Sequence, residues 1–237
     1  MENLVEIKNL TKSYGPFVAL KDVSMSLPKG KVIGLLGPNG SGKTTTIKIL
    51  TNLLMNYSGE VLIDGNKPGI YTKGIISYLP DRNFLADKWT INYAIEYFGD
   101  FFSDFDKEKA QRLISNFGIN LNKTFKSLSK GMKEKVQLSL VLSRKAKLYI
   151  FDEPIAGVDP AARDVIFKLI LNHCSPESTI IISTHLVSEV EEILDDVIFL
   201  KNGEVIYNGT KTDLMDKYEG KSVNDIFREV YRYEGII

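Results

Sequence analysis

Residues 31–50, K-V-I-G-L-L-G-P-N-G-S-G-K-T-T-T-I-K-I-L, constrain this chain more than any other stretch. They read as a buried strand over residues 32–36, a break at Gly37, Pro38, Asn39, Gly40, Ser41 and Gly42, and a helix starting at Lys43. This is the G-x-x-x-x-G-K-[ST] pattern in the strand–loop–helix setting where it holds phosphate. Glycines let the backbone wrap closely around phosphate oxygens, and their amides form an anion nest at the positive end of the following helix. Lys43 is placed to reach the β- and γ-phosphates, and the Thr44 hydroxyl is placed to meet Mg²⁺. The loop points to a nucleoside triphosphate and leaves the reaction open.

At 237 residues the chain fits one α/β domain or a domain with an insertion. Lys and Arg match Asp and Glu at 30 each, so no net charge draws it to nucleic acid or anionic lipid. The single cysteine, Cys174, excludes an internal disulfide framework and reads as a small near-core residue at a helix end. Residues 1–4 show neither a basic nor an apolar leader region, so secretion is not expected. Any membrane spans must come from another chain.

Along the chain, residues 3–10 and 22–27 alternate in polarity, as half-buried antiparallel strands do. Residues 12–16 read as a turn carrying one aromatic, Tyr14. Strands follow over residues 60–65 and 75–79, the second ended by Pro80 and Asp81. Residues 82–127 are rich in Phe and Tyr at helical spacing. Thr90 and Asp106 read as N-caps there, Gly118 closes the second helix, and the aromatics are expected to form that segment's own core. A buried strand over residues 147–153, a helix near 160–173, a strand over 179–183 and an Asn-Gly hairpin over 197–207 complete a mostly parallel sheet. Ser222 and Asp225 stand at capping-box spacing before an apolar stripe of Val223, Ile226, Phe227, Val230 and Tyr231, expected to dock on the body.

A second constellation gathers around the strand that ends in Asp152 and Glu153. One carboxylate can hold the Mg²⁺ shell while the other orients or deprotonates a water. Strand alternation suggests that the two face opposite ways. His185, after the next strand, would bring an imidazole to the same sheet edge, to donate to a phosphate or fix the water. His173 reads as a charge complement to a helix dipole.

With Ser127-Leu128-Ser129-Lys130-Gly131-Met132 added, the chain resembles the nucleotide-binding subunit of an ABC transporter over about residues 3–215. The resemblance implies an α/β, P-loop NTPase core with a mostly parallel sheet, an antiparallel β subdomain and an inserted α-helical subdomain. Residues 1–81 and 147–215 would form the core, 82–146 the helical subdomain and 216–237 a C-terminal amphipathic helix, all within one ATPase domain. Tyr14 matches the aromatic that stacks on adenine, and residues 37–45, with Lys43, Thr44 and Thr45, match the Walker A loop. Asp152 and Glu153 match the Walker B carboxylate and the catalytic base, residues 156–159 the D-loop, and His185 the switch histidine.

Ser129 and Gly131 match the signature, which binds the ATP held by an opposite subunit. Ser129 is also a good N-cap, and free amides at that helix end attract phosphate. Implied cofactors are ATP and Mg²⁺. Implied partners are a separate transmembrane permease and a second ATPase subunit, the same chain or another, with no nucleic acid. The implied place is the inner face of the cell membrane. Two positions depart from the family pattern. The signature reads Leu128-Ser129-Lys130-Gly131-Met132 in place of L-S-G-G-Q, and the lid glutamine is Asp81, which can still ligate Mg²⁺ or orient water. Both resemble drug, bacteriocin and amphipathic-peptide exporters. A soluble switch acting on ribosomes or DNA is the rival reading, disfavoured because the chain has one module, no heptad array and no basic excess. A small-molecule kinase would leave Ser129 and the Glu153–His185 pair without a role.

Overall fold

A computed structural model describes residues 2–155, 158 and 160–232. The strands are β1 (Asn3–Tyr14), β2 (Phe17–Pro28), β3 (Val32–Leu36), β4 (Ser58–Ile63), β5 (Ile76–Leu79), β6 (Leu148–Asp152), β7 (Thr179–Thr184), β8 (Asp196–Lys201) and β9 (Glu204–Thr210). The helices are α1 (Lys43–Leu50), α2 (Ile70–Ile75), α3 (Ile91–Phe101), α4 (Lys107–Asn116), α5 (Lys130–Leu142), α6 (Pro160–His173), α7 (Val187–Val190), α8 (Lys211–Lys217) and α9 (Val223–Val230). Two sheets result, an antiparallel one ordered β2-β1-β4 and a larger one ordered β5-β6-β7-β3-β8-β9. The larger sheet is parallel except where β9 turns back on β8.

Every residue of β6 and β7 is buried, as central parallel strands covered on both faces must be. Alternate residues then feed two cores. Ile150, Ile181 and Ile198 face α1 and the antiparallel sheet, while Tyr149, Phe151, Ile182 and Phe199 face α6, α8 and α9. A third core joins Ile91, Ile95, Ile114, Phe125, Val136 and Leu140 of α3, α4, α5 and the loops between them. The buried guanidinium of Arg144 bridges this helical region to the sheet. It pairs with Asp104 at 2.9 and 3.1 Å, donates to the Ile76 carbonyl at 2.7 Å, and sits 3.8 Å from the Phe102 ring centroid.

Several local expectations hold in detail. Thr90, Asp106, Ser129 and Ser222 each accept an amide from three residues on, at 3.2, 2.8, 3.3 and 3.1 Å. The α9 stripe docks on the body, packing Phe227 and Tyr231 against Phe199.

Other expectations change. The first turn is only Gly15–Pro16, because β1 and β2 pair as far as Tyr14 and Phe17. Helix α2 was not foreseen, since a six-residue segment is too short to show a helical period. The aromatics of α3 divide between two surroundings. Phe98 packs inward, whereas Tyr93, Tyr97 and Phe101 continue a ladder of rings 4.5–6.3 Å apart that starts at Trp89, itself packed on the helical core, and Tyr93 and Phe101 are exposed.

His173 is not the dipole's charge complement: burial and the neighbouring Lys109 push its pKa down, towards the neutral ring. The ammonium of Lys109 takes that place. It donates to the last carbonyls of α5 and α6, at Leu142 (2.6 Å) and His173 (2.9 Å). Cys174 is buried beside it, with its thiol pushed up to about 12 by burial.

Candidate nucleotide site

The parallel strands β3, β5, β6 and β7 end at one edge of the sheet, where β3 is succeeded by the glycine loop, β6 by Glu153 and β7 by His185. Ligands of open α/β sheets bind at such an edge. The loop runs directly from β3 into α1. Gly40 and Gly42 have φ of +81° and +112°, which turns successive amides to one side. Gly42 must be glycine for a second reason: a Cβ there would lie 2.7 Å from Leu20 Cδ2 and 3.0 Å from the Ala19 carbonyl of β2. From the far side the Asn202–Gly203 turn closes on the loop, the Gly203 amide donating to the Ser41 carbonyl at 3.0 Å. Sequence reading took that Asn-Gly only as a hairpin signal and missed it as a brace.

Lys43 is almost fully buried and donates to the carbonyls of Gly37 (2.7 Å) and Pro38 (3.2 Å). It also stands 3.5 Å from Glu153 Oε1. Burial pulls its pKa down, and the Glu153 carboxylate works against that pull. Asp152 is fully buried. Its Oδ1 accepts from the Ser183 hydroxyl and lies 3.5 Å from the Thr44 hydroxyl, while its Oδ2 has no partner among the described residues. Burial raises its pKa, hydrogen bonds from Ser183 and Thr44 oppose the rise, and the charges of Asp81 and Glu153 add to it. The unpartnered, buried Oδ2 and the surrounding negative charge are what a hard cation would satisfy, so Thr44 and Asp152 fit Mg²⁺. Ser41 Oγ is also buried without a partner among the described residues.

Glu153 departs from the expected alternation with Asp152. It lies beyond β6 at φ +50°, in the left-handed region, with its amide donating to the Ser183 carbonyl at 3.0 Å. The kink aims its carboxylate back into the site. There it accepts from the Thr184 hydroxyl at 3.2 Å and meets His185 Nδ1 at 3.1 Å from both oxygens. With a proton on Nδ1, the imidazole offers Nε2 as an acceptor for water when neutral and as a donor to phosphate when charged. A carboxylate and a held imidazole over a glycine loop can position and deprotonate a water.

Three predicted residues stand further off. Asp81 is exposed, makes no hydrogen bond to the cluster among the described residues, and acts on Asp152 through its charge. Tyr14 is exposed at the β1–β2 turn, on the same hairpin that sets Ala19 and Leu20 against Gly42. Phe17 pairs with it across the turn and is more open still, a second aromatic without a motif to mark it. Ser129 and Gly131 are exposed at the start of α5 and make no hydrogen bond to the loop among the described residues. Lys130 lies 3.9 Å from Glu134 and lines a pocket together with Asp81 and Glu153. Of residues 156–159, only Val158 is among the described residues, and it is buried.

A further residue escaped notice for want of any motif. Gln137 of α5 is buried and grips the segment after Asp81. Its Oε1 accepts from the Phe84 amide and its Nε2 donates to Asn83 Oδ1, both at 2.9 Å.

Comparison with known proteins decides the family. The pattern of the ABC transporter family matches residues 20–156. The chain belongs to the ABC transporter family, as an ATP-binding subunit. It is 32% identical to the lantibiotic transport ATP-binding protein SrtF of Streptococcus pyogenes, over 98% of this chain and 99% of that one. It is 31% identical to the linearmycin resistance ATP-binding protein LnrL of Bacillus subtilis, over 93% of this chain and 73% of that one. Among solved structures it resembles an ATP-binding subunit of an ABC transporter, with a TM-score of 0.86 at 26% identity over 97% of this chain and all of the other. No helix among the described residues is long and apolar enough to cross a membrane, so this ATP-binding subunit brings no helical span of its own from those residues.

Proposed function

We propose that this ABC subunit hydrolyses ATP with Mg²⁺ to drive export of a drug-like, antimicrobial or amphipathic-peptide compound through a separate membrane permease. It works from the cytoplasmic face of the membrane as half of an ATPase dimer. The observation that carries hydrolysis is the contact between Lys43, Glu153 and His185 beside the buried Asp152. Glu153 serves as the base that takes a proton from the attacking water, and His185 holds that water or the terminal phosphate. The loop amides and Lys43 neutralise the phosphates, the ammonium exchanging the Gly37 and Pro38 carbonyls for phosphate oxygens. Thr44 and Asp152, with the nearby charge of Asp81, would hold Mg²⁺, which would supply charge neutralisation for the phosphates. Tyr14 stacks on the base.

The dimer reading is supported by the separation of Ser129 and Gly131 from the chain's own loop, which leaves them free for the nucleotide of a neighbour. A groove of about 870 Å³ between sheet and helical region, walled by Asp81, Phe84, Phe98, Phe101 and Arg144, is the place offered to the permease. It touches the lid beside the site, so residues 82–146 act as the lobe that passes motion outward. Export is supported by two relatives, a lantibiotic transport ATP-binding protein and a linearmycin resistance ATP-binding protein.

Glu153→Gln is expected to lower turnover by about 10²–10⁴, the share of a positioned base. In MgATP the variant should accumulate as a dimer in size-exclusion chromatography with light scattering. Wild-type turnover in that variant would end the assignment of Glu153.

A further inference from the structure

Helix α9 ends one residue before Tyr231, whose half-buried ring lies in an aromatic nest 4.3 Å from Phe227 and 5.9 Å from Phe199. Lys201 fastens the same helix end, donating to the Val230 carbonyl at 2.8 Å with its ammonium 5.9 Å from the Tyr231 ring centroid. The phenol reaches the sheet edge. Its hydroxyl donates to the Leu200 carbonyl at 2.8 Å and lies 3.3 Å from the carbonyl of Leu36. Burial pushes the phenol's pKa up, so the group stays a donor.

These two carbonyls form the floor of the glycine loop. Leu36 is the last residue of β3 and the neighbour of Gly37. The Leu200 carbonyl presses on Gly37 itself, at 2.5 Å from where a Cβ would stand. The Gly203 amide holds Ser41 from above through the same β8–β9 hairpin. The loop is thus fixed at both ends by groups far along the chain, and Tyr231 is the outermost of them.

We propose that Tyr231 is a positioning residue for ATP binding. Its hydroxyl locks the Leu36 and Leu200 carbonyls together beneath Gly37, which holds the loop amides in the geometry that grips phosphate. The idea rests on the loop being the nucleotide site. A loop whose floor can shift loses preorganisation, and affinity falls without any contact to the ligand being removed.

Tyr231→Phe in the full chain removes the hydroxyl and keeps the ring in its nest. Amide hydrogen exchange over residues 36–44, measured without nucleotide, should speed up. The Kd for a fluorescent ATP analogue with Mg²⁺ should rise about three- to tenfold, the worth of one hydrogen bond. KM should rise with kcat nearly unchanged and the melting temperature close to wild type. A folded variant with unaltered loop exchange and Kd overturns the proposal, as does a fall in melting temperature with KM unmoved. Lys201→Met loosens the same helix end but leaves the hydroxyl. Loop exchange there should stay near the wild-type rate, and equal acceleration would overturn the proposal by assigning the effect to undocking of the tail. Should the wild type bind no nucleotide, the nucleotide reading falls, while the exchange measurement still decides whether Tyr231 holds the loop.

Discussion

The two helix starts that we propose for phosphate are built in opposite ways. The glycine loop before α1 is enclosed, with Ala19 and Leu20 against Gly42, Gly203 over Ser41, and Leu200 beneath Gly37. The Ser129 end of α5 is open, and a Cβ on Gly131 would meet nothing within 4 Å. The enclosed site has its shape fixed by its own chain. The open one has a cap and free space, the condition of a surface completed by another molecule.

The contrast can be tested, starting where the effect is largest. Gly42→Ala forces a Cβ into Leu20 at φ +112°. It should weaken ATP binding by about 100-fold or more, ~3 kcal/mol, in equilibrium titration of the single chain. Ser129→Ala should leave that binding unchanged while lowering turnover of the assembled ATPase by roughly 10–100-fold, the worth of one charge-assisted hydrogen bond. Weakened binding in the isolated chain would break the comparison. Gln137→Leu removes the partner of the half-buried Phe84 amide and should cost roughly 1–2 kcal/mol in urea unfolding. An unchanged midpoint would show that the lid does not depend on that grip. Gly131→Ala should leave thermal stability unchanged or raise it by about 0.5 kcal/mol, since alanine is the better helix former. Any loss of turnover would then arise where the neighbour's nucleotide approaches.

What could be read from the sequence was mostly what neighbours along the chain decide. The apolar runs of β6 and β7, the caps at Thr90, Asp106, Ser129 and Ser222, and the strand–loop–helix around Lys43 are each written within a few residues. The missing parts depend on residues brought together from afar. Gly203 braces a loop more than 150 positions earlier, Lys109 takes the place read for His173 at the end of α6 and serves the end of α5 as well, and Gln137 grips a segment with no motif to mark it. The kink at Glu153 was illegible for another reason. A left-handed glutamate carries no compositional sign, so strand alternation was the only rule available and pointed the wrong way.

That kink has a consequence for how the chain tolerates change. A glutamate at φ +50° sits in a conformation costing about 1–3 kcal/mol, which a glycine would largely avoid. The sheet edge is therefore a place where the most comfortable residue and the working residue differ. Searches for a hardier version of this protein will be drawn to position 153, and those that accept glycine there will gain robustness by giving up the acid.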